Sequence, residues 1–343
     1  MRKLLNTLFV TTPNSYLALK GETIVVTAGE DHLGQVPLHN LEAICTFGYM
    51  GASPKLMHAC AERNISLTFL STSGKFLARV VGESKGNVVL RKTQYRLSDS
   101  TNESAKIARN FIFAKVANQK WILERMTRDY PMRIDVPAFK KISATLSEYL
   151  QEILMVQDLE ILRGLEGQAA NHYFRCFDQM ILQQKDDFFF KTRNRRPPTD
   201  NINALLSLAY TLLAKDVSAA LENVGLDAYV GYLHRDRPGR ASLALDVMEE
   251  LRGVIADRFV LKLINKKIIT GKDFFAKENG AVLLTDEGRE KFINAWRERK
   301  QEPLTHPYLK EKINWGLVPH AQAMLLARHL RGDLEEYPPF LWK

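Results

Sequence analysis

The stretch from Gly231 to Arg252 places a histidine shortly before a helical run that carries three carboxylates. These are His234 and, in the run, Asp246, Glu249 and Glu250. Residues three and four positions apart lie near one face of an α-helix, where like charges repel one another. A divalent cation would remove that repulsion, and carboxylates beside an imidazole are a reasonable ligand set for one. The alternative is a solvated helix start, where the helix dipole favours acidic side chains.

Arginines accompany these candidate ligands in two segments of the sequence. One segment surrounds the histidine, and the other lies within KDDFFFKTRNRRPPTDNIN, just before a predicted helix start. The candidate DNA-contacting side chains are Arg193, Arg195, Arg196, Arg235, Arg237 and Arg240. A basic loop beside a helix start is suited to hold a phosphate backbone, and a net charge of +9 is compatible with a polyanionic partner. The alternative for the second segment is a basic interhelical loop that its three phenylalanines dock.

A further carboxylate, Glu166, lies between two glycines inside a helical pattern. A glycine within a helix costs about 1 kcal/mol relative to alanine, so such a pair usually marks the close approach of another helix or a ligand. The alternative is an ordinary helix–helix contact beside a solvated glutamate.

The overall composition is that of a folded globular protein, with 45% hydrophobic and 25% charged residues in a chain of 343. The three cysteines are isolated and lack Cys-x-x-Cys spacing, which argues against a disulfide framework or a thiolate zinc site and indicates a reducing compartment. No apolar run approaches the roughly 18 residues that a membrane-spanning helix needs. We therefore expect a cytoplasmic protein with no membrane partner.

The first part of the sequence is rich in β-prone segments. Strands are predicted at Leu4–Thr12, Tyr16–Lys20, Thr23–Ala28, Ile65–Leu70 and Lys75–Val81, with a loop over Gly29–Gln35. Ser53 and Pro54 predict the cap and first residue of one short helix. These segments predict a small β-rich dimerisation domain over residues 1–90, and the basic stretch 91–98 is interpreted as a linker.

Helical patterns dominate from residue 99 onward. Helices are predicted over Ser104–Arg125, from Val136 through Leu162, after a cap at Thr199 or Asp200, from a Ser242 cap to about Lys266, from a Thr285 cap to about Lys300, and over Trp315–Arg331. A hairpin-like excursion precedes Thr285, and the C-terminal tail is expected to dock by Phe340 and Trp342. The predicted fold class is α+β with two domains: the β-rich N-terminal domain with one short helix, and a larger all-α catalytic domain over residues 99–343.

Three segments in order carry a resemblance to a known family: GLEGQAANHYF, RNRRPPTDNINALLSLAYTLL and GYLHRDRPGRASLALDVMEELR. They resemble the CRISPR-associated family of spacer-acquisition nucleases and integrases, and the similarity covers essentially the whole chain. Each segment alone is weakly specific, but the three in this order, on predicted helices after a β module, are specific. The YPPFLWK tail and the arginine loop are most similar to the I-C subtype.

The resemblance implies a divalent metal, Mg²⁺ or Mn²⁺, that is held by Glu166, His234 and Glu249. It also implies a further catalytic carboxylate, Asp246, beside the metal. Some members of the family have Asp where this chain has Glu249, and the longer side chain should still reach a metal. Glu250 is the competing ligand, but Asp246 and Glu249 reproduce the family's spacing of three.

The function that the resemblance implies is that of a metal-dependent DNA endonuclease and integrase. Such an enzyme inserts short foreign DNA fragments into a CRISPR array by attack of a DNA 3′-hydroxyl on a phosphodiester. The implied partners are double-stranded and branched DNA, a second copy of the chain in a homodimer, and a small ferredoxin-like CRISPR-associated protein, together in a heterohexameric complex. Two other hypotheses stay open: a non-catalytic nucleic-acid-binding scaffold, and a stand-alone structure-specific nuclease that acts in DNA repair.

Overall fold

The computed structural model of the protein describes residues 7–41, 43–63, 65–72, 76–82, 88–194 and 197–342. Strands are concentrated near the N-terminus and helices follow, so the fold belongs to the α+β class. The chain divides into two compact units, one formed by Met1–Lys85 with Leu284–Glu302 and the other by Gly86–Leu283 with Pro303–Lys343. The first unit therefore takes in a segment that is distant in sequence, whereas the sequence predicts one continuous N-terminal domain.

Two four-stranded sheets build the first unit. Its strands are β1 Thr7–Val10, β2 Ser15–Lys20, β3 Thr23–Ala28, β4 Asp31–Pro37, β5 Ala43–Phe47, β6 Gly51–Ala52, β7 Ser66–Leu70 and β8 Phe76–Arg79. One sheet has the order β1-β5-β7-β8, with parallel pairing except between β7 and β8, and the other has the order β4-β3-β2-β6. Leu17, Ile24, Ile44 and Leu67 are fully buried and belong to the apolar core of this unit.

The predicted strands Tyr16–Lys20, Thr23–Ala28 and Ile65–Leu70 are confirmed to within one residue at each end. The loop predicted over Gly29–Gln35 is wrong, because most of it lies in β4, which pairs antiparallel with β3. Gly29 has a φ of +62° and makes the tight turn between the two strands. Most side chains of β4 are exposed, so no buried alternation marks it as a strand.

Ten α-helices are described along the chain. They are α1 Pro54–Glu62, α2 Val88–Asp99, α3 Thr101–Asp129, α4 Val136–Met155, α5 Leu159–Arg175, α6 Asn201–Asn223, α7 Ser242–Leu251, α8 Arg258–Asn265, α9 Asp286–Gln301 and α10 Val318–Leu330. The predicted linker over residues 91–98 is wrong, because this stretch lies within α2. Its basic character reflects the exposed side of a helix.

Capping side chains begin several of these helices where the sequence predicts them. Ser53 accepts the N–H of Leu56 at α1, Asp200 caps α6, and Thr285 caps α9. The predicted Ser242 cap is wrong, because Ser242 is the first helical residue of α7 and no side chain caps that helix. The hydroxyl of Ser242 instead donates to a carbonyl of the preceding loop, at 3.3 Å.

The predicted run from Val136 through Leu162 is two helices, α4 and α5. Asp158 interrupts it by accepting the backbone N–H groups of Glu160 and Ile161, at 2.7 and 3.0 Å. This cap starts α5 as a separate helix. The break matters for the site, because α5 carries Glu166.

Helix α6 is long and apolar enough to cross a membrane by length and composition, which the sequence prediction does not recognise. It packs against α7 and α10, and 61% of its most apolar window is buried inside the protein. That burial accounts for its composition as a core helix.

The second unit is not all-α as predicted. Short two-stranded sheets are formed by β9 Phe274–Ala276 with β10 Val282–Leu284, and by β11 Pro303–Thr305 with β12 Lys312–Asn314. The first of these confirms the predicted hairpin-like excursion, and Gly280 turns it with a φ of +76°. Strands of three residues are too short for a two-residue periodicity to stand out in the sequence.

Candidate metal and active site

Three helices of the second unit bring one lysine and two glutamates together. Lys115 lies on α3, Glu166 on α5 and Glu249 on α7, and α3 packs against both other helices. The Lys115 ammonium contacts Glu166 Oε1 and lies 2.6 Å from Glu249 Oε2. The side chains of Lys115 and Glu249 are 3% and 4% exposed, whereas that of Glu166 is 28% exposed. The two carboxylates therefore converge on one buried positive charge, and Glu166 faces the solvent side.

Arg252 supplies a second cation to Glu249. Its guanidinium lies 2.8 Å from Glu249 Oε1 and 4.8 Å from the ring centroid of Tyr210. Burial alone would raise the pKa of Glu249, but the charges of Arg252 and Lys115 outweigh it and lower the pKa to about 2. Glu249 is thus ionised at neutral pH, and each of its oxygens faces a cation.

A π-helical segment, Arg252–Asp257, follows α7 directly and contains both Arg252 and a further buried carboxylate, Asp257. Single π-helical turns are rare and are frequently found at functional sites. Asp257 is buried and accepts a 2.5 Å hydrogen bond from Tyr210. Burial raises the pKa of Asp257 to about 6, although Tyr210 and Arg252 act against it. The π-helical turn therefore places a buried carboxylate behind the arginine that contacts Glu249.

His234 is held by Asp246, the first carboxylate of α7. Asp246 is fully buried, and one of its oxygens lies 2.6 Å from His234 Nδ1. The same carboxylate accepts the backbone N–H groups of Tyr232, Leu233 and His234, at 2.6, 2.9 and 3.0 Å. When Nδ1 carries the proton, it donates to Asp246 and leaves Nε2 as a metal ligand or a base. Asp246 therefore orients the imidazole and fixes the loop that carries it.

Gly231 is required for this arrangement. A Cβ atom at this position would lie 2.7 Å from Asp246 Oδ2 and 2.8 Å from the backbone carbon of Ser242. The loop backbone can therefore approach α7 closely only because the residue has no side chain. By contrast, a Cβ atom on Gly164 or Gly167 would meet nothing within 4 Å. The glycines beside Glu166 leave open space and do not serve close packing within the described chain.

Glu250, the competing ligand, faces away from this cluster and holds the C-terminal tail. Its carboxylate accepts hydrogen bonds from Tyr337, Gln322 and the backbone N–H of Phe340, at 2.5, 3.0 and 2.8 Å. Burial raises its pKa to about 7, against the effect of these hydrogen bonds. Phe340 is fully buried, and the N–H of Trp342 donates to Asn118 on α3. The predicted docking of the tail is confirmed, and the described partners of the Glu250 carboxylate are Gln322, Tyr337 and Phe340.

The side chains of Glu166, His234 and Glu249 are of types that bind a divalent metal, although they do not form a complete coordination sphere. Within the described ranges, no three His, Cys, Asp or Glu side chains come close enough to hold an ion as they stand. Glu166 and Glu249 converge on Lys115, and His234 is the last of the groups that help lower the pKa of Glu249. Two carboxylates and an imidazole suit Mg²⁺ or Mn²⁺, and the buried ammonium marks a position that accepts positive charge. The residues therefore fit a divalent metal once Lys115 moves aside.

The candidate DNA-contacting arginines differ in their surroundings. Arg193 is partly buried, and its guanidinium donates to Asn203 Oδ1 at 2.7 Å and to Ser207 Oγ at 3.1 Å. Arg235 and Arg237 are exposed on the loop after His234. Arg240 is half-buried and donates to the carbonyl of Arg235. The other two candidates, Arg195 and Arg196, lie outside the described residues. Arg193 therefore has a structural role here, and the loop after His234 offers the accessible charge.

Sequence reasoning missed Lys115, Arg252 and Asp257. A signal for Lys115 was present, because Lys115, Asn118 and Gln119 form a polar stripe at helical spacing on α3, and all three are buried. Buried polar residues require partners, so this stripe marked the face that meets other polar groups. The π-helical register that places Asp257 has no comparable sequence signal.

Comparison with known proteins gives consistent matches along the chain. Residues 8–298 match the family model of the CRISPR associated protein Cas1. CRISPR-associated endonuclease Cas1 1 of Chlorobaculum tepidum is 45% identical over 343 residues, and CRISPR-associated endonuclease Cas1 2 of Rhodospirillum rubrum is 46% identical over 349; each alignment covers both chains completely.

Solved structures show the same fold at low sequence identity. A CAS1 protein from Thermotoga maritima superposes with a TM-score of 0.81 at 22% identity, over 95% of this chain and 97% of that one. A casposase bound to integration product superposes with a TM-score of 0.83 at 23% identity, over 98% of this chain and 94% of that one. The α+β architecture is therefore that of these proteins.

Proposed function

Because the chain belongs to the family of the CRISPR associated protein Cas1, we propose that it is a metal-dependent DNA endonuclease and integrase. Its substrates are short DNA fragments, which it inserts into a CRISPR array through their 3′-hydroxyl ends. The observation that carries the proposal is the convergence of Glu166 and Glu249 on one buried cation position. His234, which Asp246 orients, interacts electrostatically with Glu249.

Glu166, His234 and Glu249 are the proposed ligands of the divalent ion. When bound, the ion lowers the pKa of the attacking hydroxyl and stabilises negative charge on the phosphorus oxygens. Glu249 is ready for this role, since its pKa is about 2 and it is ionised at neutral pH. Glu166 is the most exposed of the carboxylates and lies beside the open space at Gly164 and Gly167. We place the approach of the DNA backbone there.

Asp246 acts through His234. It fixes the position of the imidazole and, with Nδ1 protonated, directs Nε2 toward the metal or the reacting phosphate. We therefore propose that Asp246, which the family resemblance implies to be catalytic, is a positioning residue for the same reaction. Its three backbone hydrogen bonds hold the loop that carries the histidine.

The exposed arginines of the loop after His234 are the proposed phosphate contacts within the described chain. Arg237 is exposed to solvent, and Arg235 is also exposed although its guanidinium contacts Glu160. Such groups hold and orient a DNA backbone without reading its sequence. Arg240 supports the same loop through the carbonyl of Arg235. We keep Arg195 and Arg196 as proposed contacts on the strength of their sequence alone.

The assembly we propose has two levels. The β-rich unit makes a homodimer, and two such dimers flank a dimer of a small ferredoxin-like protein in a heterohexamer that holds double-stranded and branched DNA. The family membership supports a protein partner of this kind. This chain also superposes on 36% of a chain in a solved Cas6-RT-Cas1–Cas2 complex, with a TM-score of 0.82 at 22% identity. We further propose that the protein acts in the cytoplasm and belongs to the I-C subtype.

A strand-transfer assay tests the function. The purified protein, the small partner, a short duplex with free 3′-hydroxyls and a supercoiled plasmid bearing the repeat are mixed with Mn²⁺ or Mg²⁺. We expect joined, relaxed products from the parent protein and none from E166Q or H234A. The exposed residues Glu152 and His58 provide the matched controls E152Q and H58A, which should join DNA normally.

Other results of the same assay would favour a different site or a different function. Products that persist in E166Q and H234A would exclude this site. Full joining without the partner protein would favour a stand-alone nuclease. DNA retention by every variant without any product, under varied DNA ends and partner concentrations, would favour a scaffold.

A further inference from the structure

Lys115 is the residue whose position the proposed function leaves unexplained. It is 3% exposed and carries its charge into the interior of the second unit. A lysine is almost never fully buried unless it is paired, and here the partners are two of the proposed metal ligands. Glu166 and Glu249 come from different helices, so Lys115 is the group on which they converge.

The two cations beside Glu249 occupy different places. Arg252 contacts Oε1 of Glu249 from the side of Tyr210, and Lys115 contacts Oε2 between the two glutamates. Only the second place is shared with Glu166, which opens toward solvent. An ion placed between the two glutamates would therefore meet the Lys115 ammonium, whereas the ion pair of the Arg252 guanidinium is with Glu249.

We propose that the Lys115 ammonium occupies the metal position, as a cation that holds the metal-free site together and that a divalent ion must displace on loading. This inference rests on the proposed ligand pair Glu166 and Glu249. It makes Lys115 a positioning residue for the empty site and an intramolecular competitor of the metal. A lysine suits this role, since its ammonium is a compact charge on a flexible four-carbon stem that can withdraw.

The proposal predicts that one variant, K115M, is less stable than the parent protein without metal but binds Mn²⁺ more tightly. K115M keeps the length of the apolar stem and removes the charge. Without a metal, two carboxylates then face one another with one cation fewer, so the melting temperature of K115M should fall below that of the parent protein. With the competing ammonium gone, Mn²⁺ should bind K115M more tightly than it binds the parent protein, by about 10-fold or more. The increase in melting temperature on addition of Mn²⁺ should therefore be larger for K115M than for the parent protein.

A second variant keeps the proposal testable if K115M does not fold. K115R retains a cation but replaces the ammonium by a planar guanidinium, which binds carboxylates with two parallel hydrogen bonds and is harder to displace. It should fold and should bind Mn²⁺ more weakly than the parent protein. K106M on the same helix removes an exposed lysine that pairs with Glu103 and serves as the matched control, with unchanged Mn²⁺ affinity.

The experiment is titration calorimetry of Mn²⁺ into the full-length protein without DNA, with the melting temperature of each variant measured in chelator and in Mn²⁺. Tighter binding by K115M with weaker binding by K115R supports the proposal. Weaker, equal or undetectable binding by K115M overturns it, as does a K115R that binds Mn²⁺ as well as the parent does. Because the readout requires no DNA, failure of strand transfer with the expected Mn²⁺ affinities would refute the proposed function and leave this inference intact.

Discussion

The carboxylate of Asp246 lies 2.6 Å from Nδ1 of His234 and also accepts the backbone N–H of the same residue, at 3.0 Å. One buried side chain thus sets both the place of the histidine in its loop and the orientation of its ring. Carboxylates that contact a metal-binding histidine in this way fix its tautomer and raise its basicity.

This relationship predicts the effect of D246N. The amide keeps the shape but loses the charge, and one of its two ends can no longer accept a backbone N–H. We expect Mn²⁺ affinity to fall by roughly 10- to 100-fold and strand transfer to fall with it. Calorimetry and the joining assay measure the two effects. D236N alters an exposed aspartate of the same loop and should leave both unchanged; equal losses in the two variants would refute the role of Asp246.

Gly231→Ala should destabilise the protein. The added Cβ would lie within 2.9 Å of three atoms that belong to Asp246 and Ser242, one of them in the backbone. We expect a loss of about 1–3 kcal/mol in the free energy of unfolding, together with reduced strand transfer because the His234 loop must shift. Urea denaturation provides the measurement. A stability equal to that of the parent protein would show that the loop does not need the close approach.

Gly167→Ala should have the opposite effect on stability. The position is helical and its Cβ would meet nothing within 4 Å, so alanine should raise the free energy of unfolding by about 0.5–1 kcal/mol. If DNA approaches Glu166 across this open surface, the same variant should bind DNA more weakly and join it more slowly. Gain of stability with undiminished DNA binding would place the DNA elsewhere.

The stability of the metal-free protein should depend on pH through Glu250. Its pKa of about 7 lies above the ordinary 4.5, so the folded state binds the proton more tightly than the unfolded state does. The resulting stabilisation is fully present below about pH 4.5 and is lost as pH rises through about 7. A shift of this size corresponds to about 3 kcal/mol.

The variant E250Q isolates this contribution. An amide cannot titrate, so the melting temperature of E250Q should fall less than that of the parent protein between pH 5 and pH 8. Asp257, whose pKa is raised to about 6, contributes with the same sign and remains in both proteins. Identical pH profiles for E250Q and the parent would show that Glu250 is not the titrating group.

The arginines should separate into structural and DNA-contacting residues. R193A removes hydrogen bonds to Asn203 and Ser207 and should cost about 1–3 kcal/mol of stability. R237A changes an exposed residue and should leave stability unchanged, while it weakens DNA binding and lowers the salt dependence by about one unit of slope. DNA binding as a function of salt, beside urea denaturation, distinguishes the two. A salt slope that R237A leaves unaltered would remove Arg237 from the interface.

The sequence by itself predicts the strand-to-helix order, the strands β2, β3 and β7, and the caps at Ser53, at Thr199 or Asp200, and at Thr285, because these depend on local patterns of a few residues. Family resemblance, which is also a property of the sequence, singles out the candidates Glu166, His234, Asp246 and Glu249. Two local predictions are wrong: the loop over Gly29–Gln35, most of which lies in strand β4, and the helix cap at Ser242. The side chains of β4 are mostly exposed, and no side chain caps α7, so the local sequence pattern carries little information at either place.

Only the tertiary structure decided what each carboxylate of α7 contacts. Asp246, Glu249 and Glu250 are near neighbours in sequence, yet they meet His234, the Lys115 and Arg252 cations, and the C-terminal tail, respectively. Adjacent residues of a helix point about 100° apart, so each reaches a different neighbour, and those neighbours come from distant parts of the chain. Local sequence patterns define a helix and its composition, but the partner of a buried charge is set by which other helices pack against it.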